Sequence, residues 1–302
     1  MKIGVVINHM QDQTSGVTLR YPEMRALAQR AEAGGFDSIW LFDHLLFRYT
    51  PEATIGIWEC WTLLSALAEA TKRVELGTLV LCNPFRNPAL LAKMAHTLDE
   101  VSNGRVILGM GAGWHQPEFD AFGYDFERRV DRLQEALQIM KPLLQGERVD
   151  FSGTHYQARD CVITPLGPRP GGIPLLIGGG KPRMLRLIAQ YADQWNTAWL
   201  GGPQQLAERL TRIHDACAAV GRDPATLAVT VGVQAAFPDL GETRSMAREP
   251  LSGSAEALAE AFHGYEQAGA AHLIMNPTPY GLPALERLIA AISLYRGNAD
   301  KV

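Results

Sequence analysis

Several apolar runs of the sequence end in residues that could carry out chemistry. Asp43-His44 closes one run, and an imidazole titrates near neutral pH, so His44 could transfer protons. The segment LGMGAGWHQ at 108–116 joins three glycines to an indole and a second imidazole. Glycines also fill 178–180, before a predicted helix, where converging backbone N–H groups favour an anion. These segments raise the question of whether the chain binds a nucleotide cofactor, and of which kind.

The glycines of the second segment do not match the fingerprint of dinucleotide enzymes. That fingerprint needs G-x-G-x-x-G at the start of a helix, with an acidic residue about twenty positions later. Here Gly109, Gly111 and Gly113 form G-x-G-x-G, and Pro117 argues against a helix that runs straight out of the glycines. A Rossmann-type site is therefore not predicted.

Composition excludes several other classes of protein. The 302 residues are 47% hydrophobic and 20% charged, which suffices for one large core or two smaller domains. A net charge of −4 with scattered basic residues gives no case for nucleic acid. No run approaches the roughly 18 apolar residues of a membrane helix, and the first apolar run is too short for a signal peptide. The four cysteines never form C-x-x-C, so we expect reduced thiols in a cytoplasmic protein.

Apolar strands and amphipathic helices alternate along the chain. The predicted strands are 2–8, 36–42, 74–81, 105–110, 173–178, 193–198, 226–233 and 271–276. The predicted helices are 21–33, 58–70, 88–102, 126–145, 181–192, 203–220, 253–268 and 281–295. Eight strands without a polar face, each followed by a helix, indicate a parallel sheet covered on the outside, because right-handed crossovers place the helices there. The prediction is an α/β fold, a (β/α)8 TIM barrel, because an open doubly wound sheet suits about six units better.

Three segments break the alternation and are predicted insertions. Residues 147–173 have no helical period and suggest a hairpin and loop, and 45–57 and 237–252 have no readable pattern. We expect 1–302 to form a single barrel domain.

A barrel of this kind places its chemistry at the carboxyl ends of the strands. The polar residues predicted there are Asn8-His9, Asp43-His44, Cys82-Asn83, residues 111–115, residues 178–180, Asn196-Thr197 and Asn276. A metal-dependent amidohydrolase barrel would need H-x-H on its first strand, where this chain has Asn8-His9-Met10. No metal site is predicted, and Asn8 and His9 are candidates for the substrate pocket.

Four segments together resemble the luciferase-like oxidoreductase superfamily. They are GFDSIWLFDH at 35–44, RVELGTLV at 73–80, the stretch LAKMAHTLDEVSNGRVILGMGAGWHQPEFDAFG at 91–123, and IGGG with LRLIAQYADQWN within 177–196. Members of that superfamily are barrel enzymes that use flavin mononucleotide (FMN) or the deazaflavin coenzyme F420. The resemblance spans about residues 1–200, in the expected order and at the expected strand ends.

The resemblance implies roles for residues near the ring of the cofactor. His44 matches the histidine beside the isoalloxazine ring, and Asp43 either fixes its tautomer or binds a backbone amide. Leu79 and Val80 match a non-proline cis peptide beneath the middle ring, and Asn83 is placed to offer an amide to the polar edge. Further cofactor contacts are implied for Gly111, Gly113, Trp114, His115, Gly178, Gly179 and Gly180. The last three would hold the phosphate, with Lys181 and Arg183 adding charge.

At two positions the sequence departs from the pattern of one branch of this superfamily, and both departures argue against the activity of that branch. The sugar-phosphate dehydrogenases of this superfamily carry an acidic residue after the final glycine, where this chain has Trp114, and Glu118 comes four positions later. Arg48 replaces an aromatic residue four positions after the histidine, so that particular activity is not expected. Arg86 matches a position that ties down its loop with ion pairs.

The expected function is hydride transfer between deazaflavin F420 and a small organic substrate, in a homodimer. The alternatives are an FMN-dependent monooxygenase with a separate flavin reductase, and a flavin-binding barrel without catalysis.

Overall fold

Strands and helices alternate in the computed structural model, which describes residues 1–13, 15–50, 52–243 and 249–299. The strands are β1 (Lys2–Val6), β2 (Ser38–Leu41), β3 (Phe47–Thr50), β4 (Ala53–Ile55), β5 (Glu75–Thr78), β6 (Leu81–Cys82), β7 (Val106–Gly111), β8 (Val149–Ser152), β9 (Gln157–Cys161), β10 (Leu175–Gly178), β11 (Gln194–Leu200), β12 (Ala228–Ala236) and β13 (His272–Thr278). The helices are α1 (Tyr21–Ala33), α2 (Cys60–Ala70), α3 (Pro88–Ser102), α4 (Gln116–Phe122), α5 (Arg129–Leu144), α6 (Pro182–Tyr191), α7 (Leu206–Ala219), α8 (Ala255–Gln267) and α9 (Leu282–Ala299).

The main sheet is a closed parallel barrel surrounded by helices, as predicted. Its strands follow the order β10-β11-β12-β13-β1-β2-β5-β7, and a pairing between β10 and β7 closes it. The short β6 follows β5 after two residues and pairs with β7, so these two pieces form one barrel strand. Every barrel strand is largely buried, which explains why their sequences lack a polar face.

The chain forms two compact units. The first unit comprises Met1–Asn8, Pro22–Trp40 and Gly179–Val302. Within it β1 pairs in parallel with β2 and with β13, and β12 pairs with β11 and β13. Its core is made of aliphatic and aromatic side chains of these strands and of α8 and α9, among them the fully buried Trp195 and Phe262.

The second unit comprises His9–Tyr21 and Leu41–Gly178. In it β7 is flanked by β5 and β10, with Leu76 opposite Val106 and Leu175 opposite Leu108. Two antiparallel hairpins accompany this sheet, β3–β4 and β8–β9. The predicted hairpin of 147–173 is thus confirmed.

The other predicted insertions are only partly described. Residues 45–57, read as patternless, contain the β3–β4 hairpin, but Pro51 lies outside the described residues. The segment 237–252 begins with a short 3-10 helix, Pro238–Leu240, and its residues 244–248 also lie outside the described part.

The helix predicted from Phe126 begins at Arg129 instead. Asp125 accepts a hydrogen bond from the Glu127 backbone, and Arg128 has a left-handed backbone with φ of 52°. This turn leaves Phe126 outside the helix, where its ring packs edge-on against Phe119 at 5.0 Å. The apolar period therefore extended further than the helix, because a residue in a preceding turn can occupy the same core face.

Helix α4 does not run straight out of the glycines; it begins at Gln116, three residues after Gly113, with Pro117 inside its first turn. A proline is tolerated there because the first-turn N–H groups have no partner within the helix. Similarly, the predicted helix at 58 begins at Cys60, since the Glu59 carboxylate caps the backbone N–H groups of Trp61 and Thr62.

A buried histidine links the amino ends of β13 and β2 in the first unit. The Trp40 indole donates to the Ser38 hydroxyl at 2.7 Å, and that hydroxyl lies 2.8 Å from His272 Nε2. The Ser38 hydroxyl, which accepts from Trp40, can also donate its own proton to a neutral His272. Burial lowers the pKa of His272 to about 3.

We expect this group to make the protein less stable in mild acid. Because the unfolded histidine has an ordinary pKa near 6.5, the unfolded chain takes up a proton there that the folded protein refuses. The contribution of the uncharged His272 to the free energy of unfolding is complete above pH 6.5. Below that pH it falls by about 1.4 kcal/mol per pH unit. Urea unfolding of the wild type and of His272→Gln between pH 7 and pH 5 measures the effect. In the variant, the free energy of unfolding should depend less steeply on pH, by the amount that corresponds to one bound proton. Equal slopes for the two proteins would contradict the assignment.

Among the described residues, no helix is both long enough and apolar enough to span a bilayer.

Candidate functional site

His44 in the second unit is held by a buried carboxylate. Its Nδ1 lies 2.9 Å from Glu118 Oε1 and 3.2 Å from Oε2, and Glu118 Oε2 also accepts from the Leu45 backbone N–H at 2.8 Å. The Glu118 side chain is 1% exposed and the His44 side chain 13%. Since a carboxylate accepts hydrogen bonds, Nδ1 carries the proton and Nε2 is the nitrogen left for a reacting group.

The Asp43 carboxylate anchors the loop that carries His44. The Asp43 carboxylate receives two hydrogen bonds from Arg86 and one from the Cys82 backbone N–H at 2.8 Å. Arg86 also pairs with Glu59 at 2.7 Å. Of the two roles expected for Asp43, the structure shows the bond to a backbone amide, and the orienting contact to His44 comes from Glu118. The ion pairs expected for Arg86 are present.

Four aromatic side chains gather around His44, and we call them the aromatic cluster: Phe47, Tyr49, Trp114 and His115. The His44 ring lies 4.2 Å from Phe47 and meets Trp114 edge-on at 5.5 Å. Phe47 stacks on Tyr49 at 5.9 Å, with an angle of 13° between the rings. Phe47 is buried, whereas Trp114 is 55% and Tyr49 61% exposed. The aromatic cluster therefore borders the His44 ring, and part of the cluster faces solvent.

His115 binds the backbone of the β3–β4 hairpin, which carries Phe47 and Tyr49 of the aromatic cluster. Its Nε2 accepts a hydrogen bond from the Arg48 backbone N–H at 2.9 Å, so the proton of the neutral ring resides on Nδ1. Burial lowers the pKa of His115. The neutral acceptor form is thus the one that holds the hairpin in place.

The glycines of LGMGAGWHQ make room for the chain between β5 and β6. A side chain at Gly109 would overlap the Thr78 carbonyl oxygen, and one at Gly111 would come within 2.8 Å of Val80 Cγ2. A Cβ added to Gly178 would lie 3.3 Å from the same Val80 methyl group. The peptide bond between Leu79 and Val80 is cis, as the resemblance implied. The glycines are therefore required by packing around Val80, whichever cofactor is bound.

Gly113 is needed for a further reason. Its φ is 82°, and an added Cβ would lie 2.6 Å from Cys82 Sγ and 2.7 Å from the Phe119 ring. Only glycine takes up this left-handed conformation without strain in so close a space.

Asn83 presents a buried oxygen without a partner. The side chain is 1% exposed, and its Nδ2 donates to the Tyr156 hydroxyl at 3.3 Å. Its Oδ1 has no hydrogen-bond partner among the described residues. A buried acceptor of this kind is costly unless a ligand satisfies it, and the N–H of a flavin-type ring edge would do so.

Tyr156 reaches Asn83 because Glu135 of α5 holds the hairpin turn. The Glu135 carboxylate accepts from the backbone N–H groups of Thr154, His155 and Tyr156 at 2.8 to 3.0 Å. The inserted hairpin thereby sets which way the Asn83 amide faces.

We expect Tyr156→Phe to weaken cofactor binding by about 3- to 10-fold, the value of one hydrogen bond, because the Asn83 amide loses its orienting partner. Titration of the purified protein with cofactor measures the change. The matched control is Tyr124→Phe, which removes a hydroxyl contact of the same 3.3 Å length to the Phe85 carbonyl. Equal affinities of the two variants would show that Tyr156 has no such role.

The glycine turn before α6 belongs to the first unit from Gly179 onward. Gly179 has φ of 153°, and its carbonyl accepts from the Trp195 indole at 2.8 Å. The Gly180 carbonyl accepts from Arg212 at 2.6 Å, and an added Cβ on Gly180 would lie 3.3 Å from Arg209 Nη1. Two guanidinium groups of α7 therefore lie beside this turn.

The start of α6 has no side-chain cap. Lys181 is its N-cap residue and makes no side-chain capping bond, and Pro182 follows. First-turn N–H groups without a side-chain cap favour an anion, and the two arginines of α7 add positive charge. The turn therefore fits a phosphate. Lys181 and Arg183, which were expected to add charge, are both exposed.

The two residues predicted for the substrate pocket are buried. Asn8 is 6% exposed, and His9 is fully buried with its Nε2 2.9 Å from the Phe42 carbonyl oxygen. Their role stays a prediction. Within the described residues, no group of three or more His, Cys, Asp or Glu side chains could hold a metal ion.

Sequence reasoning missed Glu118, Tyr156, Arg209 and Arg212. Glu118 was noted for its distance from the acidic position of related dehydrogenases, although one turn of α4 brings it to His44. Its spacing of four residues from Trp114 was the available signal. The other three lie on a hairpin and a helix whose partners depend on tertiary packing.

The chain is similar in sequence to known proteins. The sequence profile of the family described as luciferase-like monooxygenase matches residues 1–275. The chain is 34% identical over 176 residues to 5,10-methylenetetrahydromethanopterin reductase of Archaeoglobus fulgidus, covering 58% of this chain and 48% of the relative. It is 31% identical over 246 residues to F420-dependent glucose-6-phosphate dehydrogenase of Mycolicibacterium smegmatis, covering 78% and 71%.

Among solved structures, an F420-dependent secondary alcohol dehydrogenase in complex with an F420–acetone adduct matches with a TM-score of 0.80. The identity is 21%, and the match covers 98% of this chain and 99% of the other. This likeness shows the fold. The chain spans about half the length of the first of the relatives named above.

Proposed function

Because the chain belongs to the luciferase-like monooxygenase family, we propose that it is an oxidoreductase that uses deazaflavin F420 to oxidise or reduce a small organic substrate. One relative named above, 31% identical over 246 residues, is an F420-dependent dehydrogenase, which favours hydride transfer over oxygen activation. When bound, the deazaflavin exchanges a hydride with a carbon atom of the substrate.

In this proposal His44 moves the proton that accompanies the hydride. Glu118 fixes the proton on Nδ1, so Nε2 can accept a proton from a substrate hydroxyl during oxidation or return it during reduction. Glu118 is a positioning residue, because it acts through His44. Phe47 of the aromatic cluster packs against the His44 ring, and Asp43 with Arg86 holds the loop that carries His44.

The observation that carries the proposal is the buried His44–Glu118 pair, whose loop is tied by Asp43 to the backbone of Cys82, the residue before Asn83. The unpartnered Asn83 oxygen is an acceptor for a ring N–H, which supports a flavin-type ring there.

We propose the turn of Gly179 and Gly180 for the cofactor phosphate, with Arg209 supplying charge. We expect Arg209→Gln to weaken cofactor binding about tenfold, since a charge-assisted bond to an anion contributes roughly 1.5 kcal/mol. Arg186→Gln is the matched control, because Arg186 lies exposed on α6. Cofactor titration of both variants decides the assignment, and unchanged affinity in Arg209→Gln would refute it.

Turnover under two sets of conditions tests the function itself. Anaerobic incubation with oxidised deazaflavin and a panel of alcohols should bleach the visible absorption of the cofactor. Incubation with reduced FMN and oxygen should give no oxygenated product from the corresponding ketones. Oxygenated product with FMN and no reaction with deazaflavin would establish a monooxygenase that needs a separate reductase. Tight binding of either cofactor without turnover would favour a carrier. The homodimer and the cytoplasmic location stay predictions.

A further inference from the structure

The ring of His115 binds strand β3 through its backbone and through two side chains. The Arg48 N–H donates to His115 Nε2 at 2.9 Å. The residues on either side of Arg48 face the same ring, with ring centroids 5.5 Å away for Phe47 and also for Tyr49. The His115 side chain is buried, so water does not readily replace Nε2 as the acceptor. The attachment of β3 therefore depends on the protonation state of a buried imidazole.

Strand β3 also carries the side chain that packs most closely on His44. The Phe47 ring lies 4.2 Å from the His44 ring, whereas Trp114 lies 5.5 Å and His115 6.5 Å from it. Phe47 is buried and directly precedes Arg48 in the strand. A displacement of the Arg48 backbone therefore displaces Phe47, and the His44 ring loses its nearest aromatic neighbour.

The charges around His115 favour its neutral form on balance. The titratable and charged groups near the ring are Glu118, His44, Tyr49 and Arg48. Burial lowers the pKa of His115 most, and His44 lowers it further, while the Glu118 carboxylate raises it without reversing the shift. Burial also raises the pKa of Tyr49, so its phenol stays neutral, and the Arg48 guanidinium donates to Thr54 at 3.1 Å.

We propose that His115 is a positioning residue for His44: its neutral ring binds β3 and keeps Phe47 packed against the His44 ring, and a proton on His115 releases β3. Both nitrogens of an imidazolium carry protons, so Nε2 can no longer accept from Arg48. After release the ring regains an ordinary pKa near 6.5, and below that pH acid favours the released arrangement by at most about tenfold per pH unit. The proton transfer by His44 belongs to the proposed function, but the release of β3 does not depend on it.

Amide hydrogen exchange of the cofactor-free protein, followed by NMR, measures the release. The protection factor of the Arg48 amide, corrected for the intrinsic effect of pH on exchange, should fall about three- to tenfold between pH 7.5 and pH 5.5. The nuclear Overhauser effect between the Phe47 and His44 rings should weaken over the same range. The reference is the Gly153 amide, which binds the Tyr156 carbonyl in the β8–β9 hairpin and reports the general effect of acid.

Two substitutions of His115 separate its proton from its ring. His115→Gln keeps an acceptor oxygen but does not titrate, so the protection of the Arg48 amide should no longer change with pH. His115→Phe keeps a ring without an acceptor, so this protection should already be low at pH 7.5. His155→Gln is the matched control, because it removes a histidine from the turn of the other hairpin. It should behave like the wild type, and the Gly153 amide should respond to pH alike in the wild type and in both His115 variants.

The change with pH decides the inference. Equal falls in the wild type and in His115→Gln would overturn it, and so would an Arg48 amide as protected in His115→Phe as in the wild type. A Phe47–His44 contact that persists in acid after Arg48 has lost its protection would refute the positioning role. Because these measurements use neither cofactor nor substrate, a failure to bind deazaflavin would overturn the proposed function and leave the release of β3 standing.

Discussion

Replacement of His44 by alanine lowers kcat by a factor of about 10²–10⁴, the usual contribution of a positioned general acid or base. The reason is that, in the proposed function, Nε2 takes the proton of the substrate, because Nδ1 is bound by Glu118. The affinity for cofactor should change little, because the loop is held by Asp43 and Arg86.

Steady-state turnover and a cofactor titration on the same preparation check this expectation. His214→Ala is the control, since His214 is exposed on α7. Full activity in His44→Ala with cofactor bound would place the proton transfer elsewhere.

Replacement of Glu118 by glutamine lowers kcat by about 10²-fold while KM and cofactor affinity stay nearly unchanged. Glutamine has the same shape but only one acceptor oxygen; if that oxygen keeps the bond from the Leu45 backbone N–H, an amide NH2 takes the place of Oε1, which lies 2.9 Å from His44 Nδ1. If its amide group faces Nδ1, the proton of the histidine moves to Nε2 and the base is lost.

Nitrogen NMR of His44 shows which ring nitrogen carries the proton, a readout that a purely structural role would not move. Glu118→Asp should recover part of the activity, because it restores a carboxylate. The combined variant His44→Ala with Glu118→Gln should be no slower than His44→Ala alone, since Glu118 acts through the histidine. Additive losses would contradict that dependence.

The fold was largely predictable because each barrel strand is buried on both faces and each helix has one apolar face. Continuous apolar runs and helical periodicity report these conditions directly. The boundaries were less predictable where side chains act on the backbone. Glu59 delays the start of α2 by capping it, and the turn at Asp125 and Arg128 delays α5.

The site was predictable only where function depends on residue type at a strand end. His44, Asn83 and the glycines were proposed from residue types at strand ends and from the family resemblance, whereas the partner of His44 was not proposed. Asp43 is the neighbour in sequence, but its carboxylate faces Arg86, and Glu118 arrives from a helix 74 residues later. Glycine patterns were also ambiguous. A glycine that leaves room for the Val80 side chain looks the same in the sequence as a glycine that binds a ligand.

The most direct test of the account is the binding of deazaflavin F420 to the purified protein, followed by the change in cofactor fluorescence, with FMN titrated in parallel. The account predicts saturable binding of deazaflavin with a Kd of roughly micromolar size, weaker binding of FMN, and weaker deazaflavin binding in Arg209→Gln. Absence of saturable deazaflavin binding up to about millimolar concentration would contradict it.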